Sequence, residues 1–187
     1  MIFGFMQGRL SPIINGKIQA FPAQHWREEF PAAQAIGFPF IEWTLDQADL
    51  QQNPLMTESG RAEIARLSQA HDLSIVAITG DCFMQAPFWK RTEPAAIAAL
   101  QGVFFAIAEA AARVGATVIV VPLVDGGRLE NAEQEASLLA FMKQASPVLA
   151  ELGVRVSFES DFAPDRLAQF IAQFDATTFG VNYDLGN

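Results

Sequence analysis

The sequence predicts an α/β fold of the (β/α)8 barrel type, with only about six βα units present in this chain. Three observations lead there. Short β-branched or aromatic runs alternate with longer stretches of helical period. Polar or ionisable residues stand at the far end of nearly every run. The turn after the first run, "MQGRLSP", holds one glycine and an arginine where a dinucleotide-binding sheet has a glycine-rich phosphate loop.

The runs read as strands are "IFGFM" from Ile2, "FIEW" from Phe40, "SIVAIT" from Ser74, "TVIVV" from Thr117, "RVSFES" from Arg155 and "FGVNYD" from Phe179. Helices are expected at about His25 to Ile36, Thr57 to His71, Pro94 to Val114, Asn131 to Leu152 and Pro164 to Phe174. Gly37, Gly115 and Gly153 stand where helices would stop, and Pro94 and Pro164 suit a first turn. In the third helix Ile97, Leu100, Phe104, Ile107 and Val114 share one face, as for a helix laid on a sheet. No linker, low-complexity segment or charge run divides the chain, so residues 1–187 are read as one partial barrel domain.

A barrel is preferred to an open sheet because of where the polar groups fall. Gln7 and Arg9 follow the first strand, Glu42 lies within the second, Asp81 follows the third and Asp125 the fourth, and Glu159 and Asp184 end the fifth and sixth. Closing the sheet gathers all of these at one mouth. A complete barrel takes about 250 residues, so two units are expected to be missing and the first and last strands to present edges, which a second copy of the chain is able to cover.

Charge narrows the function classes. The 21 acidic and 12 basic residues give a formal charge of −9, and Lys and Arg do not cluster, which argues against nucleic-acid and anionic-membrane partners. The lone cysteine, Cys82, excludes an internal disulfide. The start lacks the pattern of a signal peptide, and the Ala-rich stretch "AAIAALQGVFFAIAEAAA" reads as a buried helix and not a membrane span. A cytoplasmic protein is expected.

Glu159 and Asp184, at matching heights on neighbouring strands about 5 Å apart, are able to share one divalent cation. Hard oxygen ligands favour Mg2+ or Mn2+, with Co2+ or Zn2+ admitted if a histidine joins. Helix capping and turn formation are the alternative uses of the same residues. Arg9 suits a sugar hydroxyl or phosphate, or a surface ion pair, and Gln7 is a weaker case of the same. Glu42, beside the aromatic wall of Trp43, suits a sugar hydroxyl, or a buried pairing with Arg9. Asp81 either lines the pocket or caps the next loop. Phe83, Phe88 and Trp89 form either a lid or ordinary packing, and Cys82 reads as a core thiol because no His or Asn is placed to activate it. His25 and His71, at helix ends, read as solvated or capping.

The stretches "GFMQGRLSP", "QAFPAQHWREEFPAAQAIGFPFIEW", "ITGDCFM", "FES" and "NYDLGN" together resemble the sugar phosphate isomerase/epimerase family with its xylose isomerase-like barrel. The resemblance implies one divalent metal held by a Glu on strand five, an Asp on strand six, a His on strand seven and a Glu on strand eight. Glu159 and Asp184 match the first two, and the other two would lie beyond Asn187. It further implies that the metal binds the carbonyl and hydroxyl oxygens of a sugar or sugar phosphate. The enediolate left by proton removal is stabilised, and Glu159 serves as ligand and proton-transfer group. Gln7, Arg9, Glu42 and Asp81 would contact the substrate. Two other outcomes stand beside this one: a truncated barrel without turnover, and an endonuclease IV-like nuclease, against which two histidines and the negative charge weigh.

Overall fold

The computed structural model describes residues 3–14, 16 and 20–184. Six parallel strands lie side by side in chain order: β1 (Gly4–Met6), β2 (Phe40–Thr44), β3 (Ser74–Thr79), β4 (Val118–Leu123), β5 (Arg155–Ser160) and β6 (Phe179–Val181). Helices α1 (Glu29–Ile36), α2 (Glu58–His71), α4 (Pro94–Arg113), α5 (Ala132–Leu152) and α6 (Pro164–Ile171) form the crossovers, and a short α3 (Asp81–Gln85) follows β3. Sequential order and uniformly parallel pairing are what repeated βα units produce. Among the described residues β1 and β6 are the two ends of the sheet. Large apolar side chains near them, Phe3, Val181 and Tyr183, are exposed.

Period-2 alternation divides each strand between two environments. Phe5, Ile41, Trp43, Ile119, Val121, Val156, Phe158 and Phe179 point to the helical layer and are buried. The opposite face carries Met6, Glu42, Ser157 and Glu159, all partly accessible. Trp43 anchors the helical side, edge-on to Trp26 with ring centroids 5.5 Å apart and donating its indole N–H to Asn53 Oδ1 at 3.0 Å. Phe104, Ile107, Ala108 and Ala111 of α4 are buried, so the expected apolar stripe packs into the core. By length and composition alone α4 would also cross a membrane.

The sheet curves. Parallel register runs Glu42↔Ala77↔Val118↔Arg155, yet the β5 charge that acts on Glu42 is that of Glu159, four residues further up the strand. Tilted, staggered strands of a barrel bring such residues to one height. In a flat sheet, three strand spacings alone would separate them by about 14 Å.

Several boundaries differ from the sequence reading. Residues 23–28 are hydrogen-bonded turns, with the Trp26 N–H bonding to Pro22 O at 2.7 Å, so α1 begins at Glu29 instead of His25. β4 runs on through Pro122 because its ladder with β3 ends at Val120, and a residue without an N–H does no harm beyond that point. α6 ends at Ile171. β6 ends at Val181, although the Asn182 N–H still bonds to Phe158 O at 2.9 Å, so Asp184 lies three residues beyond the strand. Ile2 of the expected first strand and the terminal Leu185–Asn187 lie outside the described residues.

Candidate active site at the strand ends

Two local devices build the mouth. The first is a bulge in β3: Ile41 pairs with Ile75 but Glu42 pairs with Ala77, so Val76 is an extra residue. Since one residue of slip exchanges the faces of a strand, the bulge lets Ile75 and Ile78 both bury on the helical side. It also sets Thr79 on the face of Glu42, where its hydroxyl donates to Glu42 Oε1 in a short hydrogen bond. Burial pushes the Glu42 carboxyl above its ordinary value; the Thr79 hydroxyl opposes that shift, and the charges of Glu159 and Asp184 add to it. Carboxylates from β2, β5 and the segment after β6 therefore share one electrostatic environment.

The second device is a network under the loops. Glu29, fully buried at the start of α1, accepts the N–H groups of Gly8 (2.8 Å) and Leu10 (3.1 Å) on one oxygen, Oε1. Burial raises its pKa, against those two bonds and the nearby Ser11 hydroxyl. Among the described residues neither Ser11 Oγ nor Glu29 Oε2 has a partner at full hydrogen-bond distance. Asp46, after β2, accepts the Phe21 N–H at 2.8 Å and the Gln85 side-chain amide at 2.9 Å, while Gln85 accepts the Gln47 N–H at 2.7 Å. The loops after β1, β2 and β3 are thereby tied together. Over them opens a cavity of about 400 Å3 lined by Phe21, Asp46, Asp49, Gln52, Asn53 and Gln85 among others. Glu42, Glu159 and Asp184 are not among its walls, so it is a neighbour of the carboxylate cluster and not its container.

The residues singled out in the sequence fall as follows. Glu159 is the penultimate residue of β5, and Asn182 donates its side-chain amide to Glu159 Oε2 at 3.3 Å. Asp184 is exposed. Gln7 is fully buried: its N–H bonds to Glu42 O at 2.9 Å and its Oε1 accepts the Thr44 N–H at 3.1 Å, so the side chain pins β1 to β2 beneath the mouth. Arg9 is exposed on the first turn after β1, apart from Glu42, whose partner is Thr79. Asp81 is buried at the first position of α3.

Other readings are corrected or decided. Trp43 points to the opposite face from Glu42 and is no wall of its site, because adjacent strand residues alternate. Phe83, Phe88 and Trp89 are core packing and not a lid; Phe88 meets Phe141 at 4.7 Å, and Trp89 donates its indole N–H to Gly127 O. Cys82 is buried and its thiol pKa is pushed strongly upward, chiefly by burial, as suits a core thiol. His25 contacts Glu28 and His71 contacts Gln34, each near its own helix end. Thr79, Asn182 and Glu29 were missed. Alternation counted back from Asp184 would have found Asn182; Thr79 depends on the bulge, and Glu29 is an acidic residue in a first helical turn, where a solvated role is the common one.

Among the described residues no group of three or more His, Cys, Asp and Glu side chains is arranged to hold a metal. Glu159 and Asp184 are of the right kind for a hard divalent cation, whose roughly octahedral shell needs further oxygen donors beyond these two carboxylates.

A family model described as the xylose isomerase-like TIM barrel matches residues 30–187. The chain belongs to that family. Similar solved structures include a xylose isomerase-like TIM barrel protein from Mycobacterium smegmatis in complex with magnesium, with TM-score 0.68 and 18% identity, covering 100% of this chain and 65% of that one. The 3-keto-D-glucoside 4-epimerase from E. coli aligns with TM-score 0.66 and 15% identity over 95% of this chain and 66% of its own. The D-psicose 3-epimerase from Clostridium cellulolyticum H10, solved with D-tagatose, aligns with TM-score 0.69 and 11% identity over 96% and 62%. This chain thus spans slightly less than two thirds of the length of each. No curated protein matches the sequence. At these identities the structural likeness establishes the barrel fold.

Proposed function

We propose that this chain carries the substrate-binding half, and one proton-transfer group, of a metal-dependent sugar or sugar-phosphate isomerase or epimerase. The observation that carries the reading is the convergence of Glu42, Glu159 and Asp184 in a member of this family, Glu42 feeling the charge of both others. A site that removes a proton from the carbon beside a carbonyl needs a base on that carbon and fixed groups for the flanking oxygens.

In this reading Glu159 takes up the proton from the α-carbon. Asn182, donating to Oε2, holds that carboxylate in orientation. Glu42 accepts a sugar hydroxyl, its angle fixed by Thr79. Arg9 and Asp81 bound the same end of the strands, and Gln7 fixes the spacing of β1 and β2 below them. Glu159 and Asp184 would hold a divalent cation, Mg2+, Mn2+ or Co2+, together with donors outside the described residues; when bound it supplies Lewis-acid polarisation of the substrate's carbonyl oxygen.

The test is exchange of solvent deuterium into the α-carbon of a ketose or ketose phosphate, followed by NMR in the presence of Mg2+ or Mn2+. Glu159→Gln is expected to abolish incorporation while circular dichroism stays unchanged. Incorporation at the native rate in that variant would remove Glu159 from the reaction.

A further inference from the structure

We propose that Glu29 is a positioning residue that holds Arg9 ready to bind an anionic oxyacid group, phosphate or carboxylate, on the substrate. This rests on the proposed sugar-binding role of the same mouth and adds to it a residue and a charge requirement.

The geometry is a turn built around one side chain. The Arg9 N–H bonds back to Met6 O at 3.2 Å, closing a four-residue turn whose third position is Gly8 at φ +89°. That conformation excludes ordinary side chains, and a Cβ there would also lie 2.7 Å from Ala20 O. Glu29 then takes the amides on either side of Arg9, those of Gly8 and Leu10, on the single oxygen Oε1. Two alternate N–H groups aimed at one anionic atom form a backbone nest, here filled from inside the protein. The backbone of Arg9 is pinned fore and aft while its side chain stays exposed.

Burying a carboxylate is unfavourable, as the upward shift of the Glu29 pKa records. What the arrangement does supply is pre-ordering: an arginine on a fixed backbone loses less freedom on binding than one on a loose loop. The sign of the ligand follows from charge. Arg9 makes no ion pair among the described residues, and it stands on the turn after β1, at the end of the strands where Glu42, Glu159 and Asp184 also lie, on a chain of net charge −9. A guanidinium there is the natural end for the anionic group of a substrate whose reacting end lies among the carboxylates, and its planar fork matches oxyacid oxygens.

The experiment titrates the 187-residue protein with D-fructose 6-phosphate, D-gluconate, inorganic phosphate and neutral D-fructose by calorimetry, with Mg2+ present. Tighter binding of the phosphate or of the carboxylate than of D-fructose identifies which oxyacid is used. Arg9→Ala is expected to weaken the preferred anion about tenfold or more and to weaken D-fructose by much less. Glu29→Ala should weaken the anion by about tenfold, the cost of ordering one residue anew, with no further loss in the Arg9→Ala background. Glu29→Gln, which keeps Oε1, should restore native affinity.

Anions binding no better than D-fructose would overturn the proposal while leaving the sugar reading intact; failure of every ligand, D-fructose included, would overturn both. Equal weakening of D-fructose and the anions by Glu29→Ala, or additive loss in the double variant, would make Glu29 a structural residue only. If Glu29→Ala does not fold, loss of anion affinity in a folded Glu29→Gln protein would equally refute the assignment.

Discussion

Asn53→Ala tests the support beneath the β2 mouth. Asn53 is buried between β2 and α2 and makes three hydrogen bonds: Oδ1 accepts the Trp43 indole N–H (3.0 Å) and the Leu55 N–H (3.0 Å), and Nδ2 donates to Thr44 O at 3.3 Å. Trp43 and Leu55 are themselves fully buried, so truncation leaves two donors away from water, each costing about 1–3 kcal/mol. The Thr44 carbonyl adds less, because that bond is long and a carbonyl tolerates partial satisfaction. The expected loss is about 3–5 kcal/mol, out of a total for such a domain of about 5–15 kcal/mol. For a chain of this size that lowers Tm by roughly 6–20 °C. Urea unfolding followed by tryptophan fluorescence measures it. A loss under about 1 kcal/mol, with the native fold retained, would mean that water or a shifted Trp43 replaces all three bonds and that Asn53 does not hold the loop.

Three further outcomes follow from the same interactions. Thr79→Val should raise the Glu42 pKa further and, where Glu42 is ionised, cost about 1.5–3 kcal/mol, a cost that falls as pH drops through the raised folded pKa and is small once the folded carboxyl is protonated; Thr79→Ser should recover the loss, and a pH-independent cost in urea titrations would refute the charge assignment. Glu29→Gln keeps both acceptor bonds and removes a carboxylate whose folded pKa is raised, so the wild-type contribution is fully present below pH 4.5 and lost as pH rises through the folded value. The variant should match wild type in acid and equal or exceed it at neutral pH, as read from Tm against pH. Gly60→Ala should destabilise despite a helix-propensity gain of about 1 kcal/mol, because the new Cβ would lie 2.2 Å from Pro54 O and 2.6 Å from Thr57 Oγ1, the N-cap oxygen that accepts the Gly60 N–H; a rise in Tm would show that the 3-10 turn at Pro54–Met56 gives way freely.

The sequence by itself determined the repeating units and their order, because apolar runs of strand length alternating with helical periods leave few other ways to bury the same surface. It determined that Glu159 sits at a strand end, and it set the net charge of −9. Cys82 as a core thiol was legible for a similar reason: no activating partner stands near it in the chain. What tertiary structure alone decided depends on register. One extra residue, Val76, turned Thr79 toward Glu42, and strand stagger brought Glu42 to the height of Glu159 and not of Arg155. Alternation within β2 sent Trp43 away from the site that its neighbour Glu42 faces. Glu29 reaches back 19 and 21 residues to gather two amides of another loop. Local patterns report a residue's period and its composition; which side chains meet across a curved sheet is set by pairing between distant segments, where a slip of a single residue exchanges every face.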